Sequence, residues 1–495
     1  MRSPSTTVRK AVIFLHRWLG VALSLLFLQW FSSGIVMMYW SYPSVSPQHR
    51  LDRSLPLSGA SIRLSPADAI AKLGSSQPPL RVRLITFDDR PLYRLNTAGR
   101  ERLIYADSGD EQLQVSPEMI SRAAGRWTGL RIGDAQKQLL TEADQWTTQE
   151  NVSARQPLWK YAWPNGEQVY ISASTGEVVQ YTTRETRFWA WLGAIPHWMY
   201  FMPLRRFARL WSQAVIWASA VGTLTALLGL VLGVWMYSPG RRYRYAGRAT
   251  AIPYREWKRW HMVVGLIFGL TAVTWSFSGL LSMDPFPAKS SAHAEIPRTD
   301  FAAFLRGSIE PKAFDRKLPA AALAQLGRTD VKELELLSFD GHAAYLATLS
   351  GRETKVIPLD GDPFPEFNRD RIVAILRATA TAGEIRELRL MNEYDAYYLD
   401  RHRELPLPVI FLRTNDSAGT RYYIDPKTAR IVQIYRSTQW VERWLYHGLH
   451  SWDFPWLYKY RPLWDIVVIS LLLGGTTLAV TALVMAWRVL SRFFI

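Results

Sequence analysis

Four stretches of this 495-residue chain contain no Asp, Glu, Lys or Arg. They lie between Arg17 and Arg50, Arg209 and Arg241, Arg259 and Asp284, and Asp465 and Arg488. Each exceeds the roughly 20 apolar residues that a helix needs to cross a bilayer. A wholly soluble fold is therefore excluded. The averages conceal this, because 48% hydrophobic and 20% charged residues resemble a soluble protein. The spans are expected at about Val12 to Trp40, Leu210 to Tyr237, Trp260 to Met283 and Trp464 to Trp487. Many of the 22 Trp sit near the ends of these runs, where amphipathic rings favour the membrane–water interface.

The formal charge is +17. Such a balance can indicate nucleic acid, but here many basic residues flank the spans, and no nucleic-acid partner is expected. Arg2, Arg9, Lys10 and Arg17 precede the first span. Arg241, Arg242, Arg244, Arg248, Arg255, Lys258 and Arg259 crowd the loop after the second, against Glu256 alone. Arg488 and Arg492 follow the fourth. Positive charge in short loops marks the cytoplasmic side. Both termini and the loop are thus expected inside, with two long inserts outside, in the periplasm of a bacterial inner membrane. The first run is too long for a signal peptide and no convincing small-residue cleavage site follows it, so retention is expected. The chain divides into a tail and first span (1–40), an outside domain (41–187), an interfacial segment and second span (188–237), a basic loop (238–259), a third span (260–283), a second outside domain (284–440), and an interfacial segment with the fourth span (441–495).

The chain also repeats itself. At an offset of 245, His16 falls on His261, Gly20 on Gly265, Trp30 on Trp275, Gly34 on Gly279 and Met38 on Met283. At 252–253, PLYRLNTAGRERLIYADSGD (91–110) falls on AAYLATLSGRETKVIPLDGD (343–362), and YISASTGEVV (170–179) on YIDPKTARIV (423–432). Leu192, His197, Phe201 and Trp211 fall on Leu445, His450, Phe454 and Trp464. The halves share one orientation, so the axis relating them should run along the membrane normal. The fold class expected is an integral membrane α-helical four-helix bundle built from a tandem two-helix repeat, carrying two α+β outside domains. In those, SPADAIAKLG (65–74) reads as a capped amphipathic helix. Alternating runs punctuated by DSGD, PNGE and STGE read as antiparallel hairpins.

There is no cysteine. This excludes disulfides, iron–sulfur clusters, thiolate or covalently attached haem, and Cys-based zinc. Any metal must be held mainly by His, with Met, Tyr or carboxylate as other options. Of nine His, four (His49, His293, His342 and His402) lie in the outside domains without metal-like spacing and read as ordinary residues. His16 and His261 sit one turn inside the spans. An intramembrane His normally faces the bundle interior, and two symmetry mates facing the axis approach one point from opposite sides, as around a bis-His haem iron. Gly20 and Gly265, on the same faces, would give a flat macrocycle room. Equally, the glycines can be helix contacts and the histidines hydrogen-bonding glue. His197 and His450 form a second matched pair, in interfacial segments ahead of the second and fourth spans. His447, three residues before His450, has Ala194 as its counterpart, and reads as an alternative ligand, a supporting partner or an interfacial polar residue. Met37, Met38 and Met283 read as packing.

At these residues the chain resembles the PepSY-associated transmembrane-helix family of bacteria, also called iron-regulated membrane proteins. The match is carried by HRWLG (16–20), SPADAI, ISASTGEVV, DQWT (144–147), GAIPHWMYF (193–201) and YHGLHSWDFPWLY (446–458). It spans nearly the whole chain, in a long form with two outside domains. In the second half KTARIV replaces STGEVV. The resemblance implies PepSY-like outside domains and a ferric-siderophore reductase holding two b-type haems, with His16, His261, His197 and His450 as iron ligands and His447 also eligible. It implies electron transfer from the cytoplasm or the quinol pool to a periplasmic ferric chelate. No dinucleotide-binding fingerprint is present, since the glycines of GLVLG (229–233) and GG (474–475) fall inside spans, so a separate electron donor is expected. The outside cluster NEYDAYYLDRHRE (392–404) offers Tyr394, Asp395, Tyr397 and Tyr398 as chelate contacts, or else as an ordinary strand with solvated charges. The competing reading is a non-enzymatic PepSY binding, sensor or assembly protein. A permease is disfavoured because four spans leave little room for a gated path.

Overall fold

The fold is described from a computed structural model covering residues 4–72, 74, 79–97, 100–285, 300–349, 353–400 and 403–493. His293 and His402 lie outside the described residues. Four helices, Pro4–Met37, Ala208–Met236, Glu256–Leu281 and Leu463–Leu490, are long and apolar enough to cross a membrane. They coincide with the four charge-free stretches, the third beginning four residues before the expected Trp260. In hydrocarbon only an intra-segment hydrogen-bond ladder satisfies the backbone, which is why such runs fold as helices.

The first span packs on the second and fourth, and the third packs on the second and fourth. The first and third are therefore diagonal across the bundle. This is the arrangement that a twofold duplication requires. Contacts are close where side chains are missing: a Cβ on Gly475 would stand 2.5 Å from the Phe31 ring.

The first insert contributes β1 (Arg81–Phe87), β2 (Arg90–Thr97), β3 (Arg100–Tyr105), β4 (Gln136–Leu140), β5 (Leu158–Ala162), β6 (Gln168–Ser172) and β7 (Val178–Thr182). The loop between the second and third spans forms a small hairpin, β8 (Tyr243–Tyr245) and β9 (Arg248–Thr250). The second insert contributes β10 (Val331–Phe339), β11 (His342–Leu349), β12 (Thr354–Pro358), β13 (Ile385–Met391), β14 (Val409–Thr414), β15 (Arg421–Asp425) and β16 (Arg430–Tyr435). Strands β4–β7 form one four-stranded antiparallel sheet and β13–β16 another. The helix expected at SPADAI is present as Pro66–Ala71, with the Ser65 side chain accepting from the Asp68 N–H and Pro at its first turn.

The two inserts do not stand apart as separate domains. Their remaining strands join in one six-stranded antiparallel sheet, ordered β12-β11-β10-β1-β2-β3. Its register places Arg83 opposite Glu335, and these are repeat mates at the 252 offset. The twofold axis thus passes between β1 and β10. Each of these strands would otherwise be an exposed edge, and pairing them removes both. Val82, Leu84, Tyr93 and Leu95 bury one face together with Leu334, Leu336, Tyr345 and Ala347. Because this sheet joins both inserts, they leave the same end of the bundle, and the termini and the β8–β9 hairpin lie at the other.

Candidate functional site

The polar residues that matter are those the spans bring inward. His16 and His261 come from the two diagonal spans and have ring centres 6.2 Å apart. His197 and His450 come from the segments between sheet and bundle, and their ring centres are 6.0 Å apart. His197 ends the short helix Ala194–His197, which restarts after Gly193 closes the helix Arg184–Leu192. His450 lies in Leu449–Ser451, directly after a π-helical turn at Val441–Gly448, a geometry found disproportionately at functional sites.

Each imidazole has its Nδ1 engaged. His16 Nδ1 lies 3.0 Å from the Thr225 carbonyl oxygen, so it must carry a proton and donate. His261 Nδ1 lies 2.9 Å from Thr481 Oγ1. His197 Nδ1 lies 3.0 Å from Ser33 Oγ, and His450 Nδ1 lies 2.9 Å from Ser278 Oγ. Those three hydroxyls donate their own protons to carbonyls one turn back: Thr481 to Leu478, Ser33 to Gln29 and Ser278 to Trp275. Their oxygens are left to accept from the imidazoles. His16 is thereby an Nδ1–H tautomer, and the other three rings also turn Nδ1 to a protein partner, the arrangement in which a histidine can ligate a metal through its other nitrogen.

The spacing fits one metal between two imidazoles. Two metal–nitrogen bonds of about 2 Å, plus half a ring on each side, come to about 6 Å. Each pair would supply two imidazole nitrogens to a haem iron, with the porphyrin supplying the rest. Burial holds His197 and His450 below the ordinary imidazole value, so both rings are neutral at pH 7. Ser33 and Ser278 each stand seventeen residues beyond the histidine of their own span, which places the two pairs about 25 Å apart along the bundle.

Further residues hold the outer pair. Trp211 Nε1 donates to the Trp198 carbonyl at 2.8 Å, and its repeat mate Trp464 donates to the Ser451 carbonyl at 3.1 Å. Each clamps the residue that follows a histidine. Gln29 Nε2 donates to the Pro196 carbonyl at 2.6 Å. Trp211 and Trp464 enter the sequence reading only as repeat mates, and Gln29, Ser33 and Ser278 do not enter it, although Ser33 and Ser278 stand at the same 245 offset as the histidines.

A Cβ on Gly20 would meet nothing within 4 Å, and one on Gly265 would make only ordinary contact with Leu478. The close approach is at Gly229 of the second span, where a Cβ would stand 2.5 Å from His16 Cε1. His447 packs on Tyr446 at 4.7 Å, and the ring facing His197 belongs to His450. Met37 and Met38 sit in packing clusters.

The outside cluster is built inward. Tyr394 and Tyr398 donate to the Leu405 and Pro406 carbonyls. Asp395 Oδ1 accepts the backbone N–H of Tyr397 and Tyr398, and the carboxylate accepts the Tyr423 hydroxyl. Tyr398 is fully buried and stacks on Tyr423. The first half repeats the motif: Asp144 accepts the Trp146 N–H and the Tyr170 hydroxyl. These groups close a turn against a sheet. Tyr397 packs between Tyr435 and Trp444.

No family model, curated protein or solved structure matches this chain.

Proposed function

We propose that this is a membrane electron-transfer protein, with two haems of the b type held by His16/His261 and His197/His450, that reduces ferric chelates outside the membrane. The observation that carries the reading is the pairing of four part-buried imidazoles at metal-sharing distance, every one with its Nδ1 engaged by the protein. Haem held in this way supplies one-electron transfer. The four imidazoles would hold the two irons, and the protein would have no acid–base step to perform.

Orientation follows from charge. The end that carries the termini and the β8–β9 hairpin also carries Arg9, Lys10, Arg17, Arg241, Arg242, Arg244, Arg248 and Arg488, and basic short loops face the cytoplasm. The inner pair is then His16/His261, near the electron supply, a separate reductase or quinol. The outer pair, His197/His450, stands at the opposite end beneath the inserts, which lie in the periplasm of an inner membrane. One electron taken by an Fe(III) chelate gives Fe(II), which hard oxygen donors hold more weakly. The chelate is a siderophore by the resemblance of HRWLG and YHGLHSWDFPWLY to the PepSY-associated family. Tyr394, Asp395, Tyr397 and Tyr398 act in this reading by shaping the insert and not by ligating iron.

Pyridine haemochrome analysis of the purified chain is expected to give about two haems per chain. Proteoliposomes loaded with an internal reductant are expected to reduce an external ferric chelate. Colourless protein would leave the histidines as bundle-packing residues and favour a non-enzymatic binding or assembly protein. Haem without chelate reduction would overturn the substrate alone.

A further inference from the structure

The two halves differ in charge where the second and fourth spans begin, at the end of the bundle that carries the inserts. In the second half, every cation of residues 441–465 has a carboxylate. Arg443 pairs with Asp453 at 2.9 Å, Lys459 with Glu393 at 2.8 Å and Arg461 with Asp465 at 2.5 Å. The matching stretch of the first half, 188–212, holds Arg205, Arg206 and Arg209 and no Asp or Glu. Ser212 stands where the fourth span has Asp465, at the same 253 offset that relates His197 to His450. Among the described residues, none of the three arginines is in an ion pair.

Arg205 is held in place by its neighbours. It closes the short helix Met202–Arg205, and its guanidinium lies over the Tyr200 ring at 5.0 Å and the Trp211 ring at 4.5 Å. Its Nε is buried with no hydrogen-bond partner, whereas buried donors normally find an acceptor. Stacking uses the face of a guanidinium and leaves the donors at its edge to a planar anion. Arg206 and Arg209 are exposed beside it. Trp211 is the indole that bonds the Trp198 carbonyl, next to His197, so this corner adjoins the outer imidazole pair. Basic residues beside a span favour the cytoplasmic side, and three at the opposite end work against the orientation the rest of the chain sets. An anion from outside would balance the surplus. Lipid phosphate offers similar oxygen chemistry, but the start of the fourth span meets the same headgroups and keeps its own carboxylates. We propose that Arg205, Arg206 and Arg209 form the docking site for the ferric chelate, and that this chelate is anionic, a complex of carboxylate or catecholate oxygens with net negative charge. This rests on the ferric-chelate reading above and narrows it.

Gallium(III) complexes test it, because gallium shares the charge and oxygen preference of Fe(III) and takes no electron. Binding is thus read apart from haem and reduction. Equilibrium dialysis of the full-length protein in phosphatidylcholine nanodiscs is expected to show the trianionic tris-catecholate held about tenfold more tightly than the neutral tris-acetohydroxamate, with the gap closing as salt rises. Arg205→Gln is expected to weaken trianion binding about tenfold, the loss of one hydrogen bond to a charged group, and Arg205→Lys to weaken it less. Arg206→Gln with Arg209→Gln, both exposed, is expected to weaken it about threefold and flatten the salt dependence; this double variant carries the test if Arg205→Gln misfolds. Lys459→Gln, at the place of Arg206 in the second half, is expected to change nothing. Equal binding of the two complexes, or a trianion held as tightly by the double variant as by the unaltered chain, overturns the proposal. Glycerol phosphate separates the two anion sources: failure to displace the trianion at equal concentration supports the chelate, and displacement assigns the arginines to lipid headgroups and overturns it. Chelate reduction unchanged in the double variant sinks this docking site and leaves the proposed function standing. Tight trianion binding by a chain that reduces no chelate sinks the reduction and leaves the site.

Discussion

An imidazole can give one nitrogen to the protein and the other to a metal, and the four bundle histidines all give the protein the same one. Packing alone does not demand that, since a histidine serving as interhelical glue is satisfied by either tautomer. Replacement should therefore be selective. His16→Ala or His261→Ala is expected to halve haem content by emptying the inner site, and His197→Ala or His450→Ala to halve it by emptying the outer. His447→Ala, which removes a ring resting on Tyr446, is expected to leave both; pyridine haemochrome analysis reads all five. Gly229→Ala is a sharper case. Its Cβ would press into the His16 ring, and overpacking of this kind typically costs about 1–3 kcal/mol. The expected result is loss of inner haem with outer haem kept, measured by haem per chain beside a melting curve. The histidines were legible in the sequence because only nine exist and the duplication aligns them. Gly229 was not, because a glycine in an apolar span has many reasons to be there, and only the ring across from it shows which applies.

At the level of elements, the outer pair depends on short segments that run from sheet to bundle. The indoles of Trp211 and Trp464, at the tops of the second and fourth spans, hold those segments down through carbonyls next to His197 and His450. Trp211→Phe keeps the ring area and loses the donor. A single hydrogen bond contributes about 1 kcal/mol net, so the expected change is modest and local. The outer haem should dissociate at lower temperature while the inner keeps its midpoint, followed by absorbance on heating. Trp464→Phe should behave alike, being the repeat mate. The spans themselves were readable from charge alone, and their observed ends lie within a few residues, except that the first and third start earlier because helix continues through the basic flank. The duplication aligns Ser33 with Ser278, but the pattern alone does not tell what they bond. A serine in an apolar helix usually bonds its own backbone one turn back, and these do so while also accepting from a histidine. The π-helical turn before His450 was hidden too, since a hydrogen-bond register leaves no trace in an apolar pattern.

Across the whole molecule, the duplication announced a twofold axis, but alternation in a strand reveals which face is buried and not which strand lies alongside. The joining of β1 to β10 was therefore invisible until the register placed Arg83 against its own mate, Glu335. That junction has a built-in charge device. The Glu335 side chain is almost fully buried and accepts from Arg81 at 2.6 and 2.8 Å and from Arg430 at 2.6 Å. Arg83 is committed to Glu333. Burial alone would raise the Glu335 carboxyl, but the bonds from Arg81 and Arg430 outweigh it and hold the group below its ordinary value. A depressed carboxyl contributes stability that is fully present above the unfolded value, about 4.3, and is lost as pH falls through the folded one. The β1 and β10 amides should accordingly keep their hydrogen-exchange protection from neutral pH down to that point and lose it below, after correction for the intrinsic rate. Removing the partners should reverse the slope. Both arginines are partly exposed and can return to water, so Glu335→Ala leaves no stranded charge and is the milder change. Arg81→Ala with Arg430→Ala strands a buried carboxylate, which costs about 3–5 kcal/mol and lifts its value above the unfolded one. In that variant the folded state binds the extra proton, so protection at β1 and β10, weak at pH 7, should rise on acidification toward pH ~5. If protection in the double variant falls with pH as it does in the unaltered chain, the two arginines are not what holds the halves together.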